Sequence, residues 1–111
     1  TSGIGVQVDI QYEAGLPLEA EEALYRILQE ALANITRHSR AGQAIIHLEQ
    51  QDGEVQLSVR DDGIGFDAET AERGMGLSSM RERAETIGGL FRLTSQPGDG
   101  TEVCVVLPRS R

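Results

Sequence analysis

An α/β domain is the fold class this sequence predicts, and three observations predict it. Apolar residues alternate with polar ones in short stretches, as they do in strands with one covered face. Two intervening stretches switch to a helical period. Glycine and proline punctuate the switches, giving the order β-α-β-β-loop-α-β-β. The chain has 111 residues, the length of one domain, taken as residues 1–111.

Ile4, Val6, Val8, Ile10 and Tyr12 alternate with smaller or polar residues, which predicts a half-buried first strand. Gly15 and Pro17 end it, and Pro17 stands where a helix can start. Over residues 18–39 the period is helical, with Leu24, Ile27, Leu28, Ala31, Leu32 and Ile35 on one apolar stripe. Gly42 follows, and the apolar stretch 44–48 predicts a second strand. Asp52-Gly53 is a two-residue hairpin signal leading into Val55, Leu57 and Val59 on the third. Residues 61–76 have little periodicity and hold four of the thirteen glycines, so they are expected to form a loop. A second helix is expected over 77–87, stopped by Gly88-Gly89. A strand over 90–94, a turn at Pro97-Gly98-Asp99-Gly100 and a closing strand over 103–107 complete the order. The closing strand is apolar throughout, as expected for a strand covered on both faces or central in a sheet. Residues 1–3 and 109–111 are expected to fray.

Composition removes several function classes. Hydrophobic residues make up 39% and charged residues 25%, ordinary globular values that argue against disorder. All 10 basic residues are arginine. Without lysine there is no P-loop, no Schiff-base chemistry and no protein-kinase strand lysine. The two histidines, His38 and His47, form no zinc-protease signature. The single cysteine, Cys104, excludes an internal disulfide framework and a multi-cysteine zinc site. With 18 acidic residues the formal net charge is -8, which makes nucleic acid a poor partner. No apolar run approaches the ~20 residues of a membrane span, so no membrane contact is expected. The acidity suits a protein that meets an anionic ligand through a bridging divalent cation.

Four pieces carry the chemistry. On the first helix, at 100° per residue, Glu30, Asn34, Arg37 and His38 share an arc of roughly 100° bordering the apolar stripe. That border is where a helix lines a pocket against a sheet, although a solvated polar flank has the same pattern. Arg60-Asp61-Asp62-Gly63-Ile64-Gly65-Phe66 follows a strand directly. Asp61 can turn a carboxylate inward to accept from an exocyclic amino group such as adenine's, and Gly63 and Gly65 let backbone approach a flat ligand. A solvated glycine turn is the plainer alternative. A dinucleotide fingerprint fits Gly63-x-Gly65-x-x-Ala68 formally, but two aspartates would face the pyrophosphate. A calcium loop from Asp61 to Glu72 would put glycines at two ligand positions and Phe66 at its required glycine. Gly74-Met75-Gly76-Leu77 precedes a helix, exposing backbone N–H groups to an anion and allowing a short lid. Finally, Gly100-Thr101 places a hydroxyl at the start of the last strand.

Together these pieces resemble the catalytic ATP-binding domain of sensor histidine kinases, a Bergerat-type fold. The nearest subgroup is the one named for nitrate sensors and a membrane-fluidity sensor, whose further marks stand here as Met80-Arg81-Glu82-Arg83, Gly88-Gly89 and the ending through Leu107-Pro108. The resemblance covers nearly the whole chain. It implies an α/β (α+β) two-layer sandwich with a mixed, mostly antiparallel sheet and helices on one face. It implies ATP and Mg²⁺ as ligands, with Asn34 on the metal and Glu30 either orienting the acceptor or helping the metal. Arg37 and His38 would contact phosphate oxygens, Asp61 the adenine amino group, with Gly63, Gly65 and Thr101 nearby and Ile64 on the wall. Gly74, Met75, Gly76 and Leu77 would form a brief lid. The implied reaction is transfer of the γ-phosphoryl group to a histidine on a separate dimerisation domain, with a response regulator downstream, in the cytoplasm. No acceptor-bearing helical hairpin stands in these residues, so an excised catalytic domain is expected. The alternatives are an anti-sigma-factor-type serine kinase or a non-catalytic nucleotide-sensing module on the same fold.

Overall fold

The sheet grows outward from the Asp52-Gly53 turn. Both residues take positive φ (54° and 85°), the conformation that matches the twist of the strands they join. They connect β2 (Gln43–Gln51) to β3 (Glu54–Asp61), with Gln51 opposite Glu54. This computed structural model describes residues 4–39, 42–65 and 77–108, the side chains of 38 and 39 excepted. The remaining strands are β1 (Gly5–Gln11), β4 (Leu90–Ser95) and β5 (Thr101–Leu107). The sheet order is β1-β2-β3-β5-β4. β1 pairs with β2 in parallel and the other three pairings are antiparallel, so the sheet is mixed as expected.

Two helices cover one face. α1 (Leu18–Asn34) starts directly after Pro17, without a side-chain cap, and places Glu19 and Glu21 where the helix dipole favours negative charge. It buries Ala20, Leu24, Ile27 and Ala31 against Ile46, Val55, Leu57, Val59, Val103 and Val105. α2 (Leu77–Thr86) adds Leu77, Met80 and Ala84 to the same core. Each fully buried side chain of this size contributes roughly 1.5–3 kcal/mol. Ala20, Ala31, Ala44 and Ala84 let the helices approach the sheet closely. Gly88 stops α2 at positive φ, and the Gly89 N–H donates to Ala84 O at 2.8 Å, closing the last turn. No described helix is long and apolar enough to cross a membrane.

Three expectations need correction. The α-helical period ends at Asn34, and Ile35–Ser39 form a π-helical turn. A π turn closes i→i+5 and rotates less per residue, so Arg37 does not keep the wheel position that an α-helix over 18–39 assigns it. β1 is not half-buried: all seven of its residues are exposed, because it is an edge strand and no described helix covers it. Only its flanks, Ile4 and Tyr12, pack against the core. The closing strand is neither covered on both faces nor central, since β3 is the middle strand. β5 turns Val103, Val105 and Leu107 to the helices. Cys104 faces the open side, where neighbouring strands and the Gln56 amide, 3.4 Å from its Sγ, leave it 8% exposed. Burial pushes its thiol pKa up.

Candidate functional site

The pairing register assembles one end of the sheet. Ala44, Asp61, Thr101 and Ser95 stand opposite one another across β2, β3, β5 and β4. α1 returns from the end of β1 to the start of β2, which brings its C-terminal half, with Glu30 and Asn34 half-buried, to this same end. α2 begins here too, since Gly89 at its far end packs on Leu107.

Asp61 is the one buried polar or charged side chain among the described residues, at 5% exposure. Its Oδ1 accepts from the Gly63 N–H at 2.8 Å. Its second oxygen takes no hydrogen bond from a described residue. Burial is the main cause raising its carboxyl pKa; the Gly63 N–H pulls it down and the charge of Asp62 adds to the rise. An acid held on the covered face of a sheet is costly unless a donor meets it. A ligand amino group is such a donor.

The glycines around it are required by close backbone approach. At Gly100, φ is +75° and a Cβ would lie 2.2 Å from Asp61 O. At Gly65, φ is +66° and a Cβ would lie 2.1 Å from Gln96 O. The segment after β3 therefore lies directly on the turn before β5, where Ile64 O accepts from the Gly98 N–H at 2.5 Å. Thr101 Oγ1 and Ser95 Oγ are 2.9 Å apart, and the Ser95 hydroxyl donates to Gly100 O at 3.0 Å, which orients the hydroxyl pair beside Asp61.

Asp62 does different work, which the sequence reading missed. Its Oδ1 accepts from the Gly42 and Gln43 N–H groups at 2.9 and 3.0 Å, and its own N–H donates to Gln43 O at 3.2 Å. It clasps the entry of β2 to the exit of β3. A second acid beside the first is the only sequence signal for that role, and a turn offers no periodicity to expose it.

The structure thus brings Glu30, Asn34, Asp61, Gly63, Gly65 and Thr101 to one end of the sheet. Ile64 is half exposed beside them, and Arg37 is exposed on the π turn. Leu77 is a core residue at the start of α2. Gly74, Met75 and Gly76 lie outside the described residues, as does the His38 side chain. Among the described residues no three His, Cys, Asp or Glu side chains cluster to hold a metal by themselves.

A sequence profile for the histidine kinase-, DNA gyrase B- and HSP90-like ATPases matches residues 19–111. The chain belongs to this ATPase family. Among relatives of this ATPase-family domain, the sensor histidine kinase LiaS of Bacillus subtilis is 38% identical over 106 residues, covering 95% of this chain and 29% of that protein. The sensor protein VraS of Staphylococcus haemolyticus is 39% identical over 104 residues, covering 93% and 30%. The chain therefore spans under a third of the length of these relatives. The solved ATP-binding domain of PrrB from Mycobacterium tuberculosis superposes with a TM-score of 0.75, covering 97% of this chain and 82% of that one at 23% identity, which establishes the shared fold.

Proposed function

We propose that this ATPase-family domain binds Mg·ATP and delivers the γ-phosphoryl group to a histidine on a separate dimerisation domain of a two-component sensor kinase. The observation that carries the reading is Asp61: a buried carboxylate with an open oxygen, at a strand end flanked by glycines that admit a flat ligand. Its oxygen would accept from the adenine amino group, while the Thr101 hydroxyl and the Gly63 backbone frame the base and Ile64 covers it. Arg37 and His38 would approach phosphate oxygens, with Gly74, Met75 and Gly76 as the short lid over them, while Leu77 anchors the start of α2 in the core.

The donor chemistry on α1 fits Mg²⁺. Asn34 offers a neutral amide oxygen and Glu30, one turn earlier, a carboxylate; Mg²⁺ takes such hard oxygens sparingly and fills its remaining positions with water and phosphate. When bound, the ion draws charge from the phosphate oxygens. Glu30 would either orient the acceptor imidazole or help hold the metal. The transfer forms an N–P bond to the acceptor, breaks the bond from the γ-phosphorus to the bridging oxygen, and leaves ADP carrying that electron pair. The LiaS and VraS matches support a sensor-kinase setting, with a response regulator as downstream partner and the domain on the cytoplasmic side. Met80-Arg81-Glu82-Arg83 supports the nitrate-sensor and membrane-fluidity-sensor subgroup.

Calorimetric titration with ATP and GTP, each with and without Mg²⁺, tests this reading. ATP should bind more tightly than GTP, and Mg²⁺ should tighten it. Equal binding of the two nucleotides would overturn the role given to Asp61.

A further inference from the structure

At the end of the sheet where Asp61 stands, hydrogen bonding within the chain already assigns the protons of two hydroxyl groups. Ser95 closes β4 and Thr101 opens β5; the register sets them opposite each other, with Asp61 on the far side of Thr101. Ser95 Oγ lies 3.0 Å from Gly100 O and 2.9 Å from Thr101 Oγ1. A hydroxyl has one proton and two lone pairs, and a carbonyl oxygen only accepts. The Ser95 proton therefore goes to Gly100 O. The proton between the two hydroxyls then has to come from Thr101. What Thr101 offers a ligand is lone pairs alone.

This assignment holds because Gly100 O is fixed in place. The Asp99 N–H donates to Gln96 O at 3.0 Å and the Gly98 N–H donates to Ile64 O, which pins the turn from within and from the segment after β3. Gly100 lies so close to β3 that a Cβ would meet Asp61 O at 2.2 Å. Ser95 and Thr101 are both half-buried, so a carbonyl deprived of the Ser95 proton finds little water to replace it.

Asp61 and Thr101 thus stand as neighbouring acceptors on the covered face. A ligand edge that meets both must bring donors. A 6-aminopurine does so, since its exocyclic amino group carries two N–H bonds. A 6-oxopurine brings one N–H, from ring N1, that can reach Asp61. Its oxygen then faces the lone pairs of Thr101.

We propose that Ser95 is a positioning residue for base selection: by taking the Thr101 proton it holds Thr101 as an acceptor, and so adds to the preference for a 6-amino over a 6-oxo purine that Asp61 begins. Ser95 acts through Thr101. This role rests on the adenine reading of Asp61.

The probes are ATP and inosine triphosphate, which differ only at position 6 and the adjoining ring nitrogen. Calorimetric titration of the whole domain with each, Mg²⁺ present, gives the ratio of their affinities, which should favour ATP in the parent. In Ser95→Ala the Thr101 proton is released and can turn to the 6-oxygen. The ratio should then shrink by about three- to tenfold, the worth of one neutral hydrogen bond. Ser95→Thr keeps a hydroxyl at this place and should retain the parent ratio. A purely structural loss weakens both nucleotides alike and leaves the ratio where it was. With Thr101→Val already present, Ser95→Ala should no longer move the ratio, because no hydroxyl remains to reorient. An unchanged ratio in Ser95→Ala, or the same change in the Thr101→Val background, overturns the role of Ser95 and leaves the adenine reading standing. A parent that binds both nucleotides equally overturns the adenine reading and the role of Ser95 with it.

Discussion

Replacing Asp61 by asparagine removes a buried charge while keeping an oxygen that can accept from the Gly63 N–H. Adenine-nucleotide affinity should fall by roughly 1–3 kcal/mol, because an amide can present its donor to the adenine amino group. The pH dependence has a defined sign. The folded pKa of Asp61 is raised above its unfolded value, so the folded chain holds the proton more tightly. Lowering the pH through that raised pKa therefore stabilises the ligand-free fold, and the gain is complete below the unfolded carboxylate value. The same protonation fills the acceptor, so nucleotide affinity falls over the same window. Ligand-free Asp61→Asn should melt no lower than the parent at neutral pH and show a shallower rise on the acid side; melts at a series of pH values read both. At Asn34, alanine removes the proposed metal oxygen and improves helix propensity. Mg²⁺-dependent ATP affinity should drop while the ligand-free melting temperature stays nearly constant. A large loss of ligand-free stability would instead assign Asn34 a packing role.

Glycines with the same backbone sign should respond differently at the level of turns. Gly88 and Gly100 both have positive φ, but a Cβ at Gly88 meets nothing within 4 Å, whereas at Gly100 it runs into the Asp61 carbonyl. Gly88→Ala should cost about 1–2 kcal/mol, the strain of the left-handed conformation alone. Gly100→Ala adds a backbone collision, so it should cost clearly more and disturb nucleotide binding by pushing the end of β3. Urea unfolding of the two variants compares them. The elements themselves were legible where local chemistry decides. Asp52-Gly53 announced its hairpin, Gly88-Gly89 its helix stop, and Asp61 its position at a strand end. The π turn was not legible, because Ile35 continues the apolar stripe of α1 and nothing in the residue types marks the wider turn. Nor was the exposure of β1: Val6, Val8 and Ile10 alternate as a covered strand does, and whether a helix lies over them depends on where α1 lands. Asp62 was hidden for the same reason, since its partners Gly42 and Gln43 lie about twenty residues away in sequence.

For the molecule as a whole, ATP should bind without phosphorylating these 111 residues. Transfer requires an acceptor in line with the γ-phosphate. His47 stands on the open face of β2, its Nδ1 3.2 Å from Asp9 and its Nε2 3.5 Å from Glu49, with the whole sheet between it and the covered face that bears Asp61. His38 stands on the π turn of the pocket helix, as a proposed phosphate contact. Incubation with γ-labelled ATP should leave the chain unlabelled. A separate dimerisation domain of the proposed sensor kinase, bearing the acceptor histidine, should take up acid-labile label slowly, because a tether normally raises effective concentration to about millimolar. Label on the isolated chain would sink the assignment, and an unlabelled partner would favour a nucleotide-sensing module.

Cys104 sets how this molecule meets oxidants and electrophiles. Burial under the neighbouring strands keeps its proton on, so the thiolate that attacks peroxides, disulfides and maleimides is scarce in the native state. With no other sulfhydryl in the chain, these residues form no internal disulfide in reducing or oxidising surroundings. A cysteine introduced on an exposed position of α1 or the hairpin becomes the single reactive handle for a dye or cross-linker, with the native residue left in place.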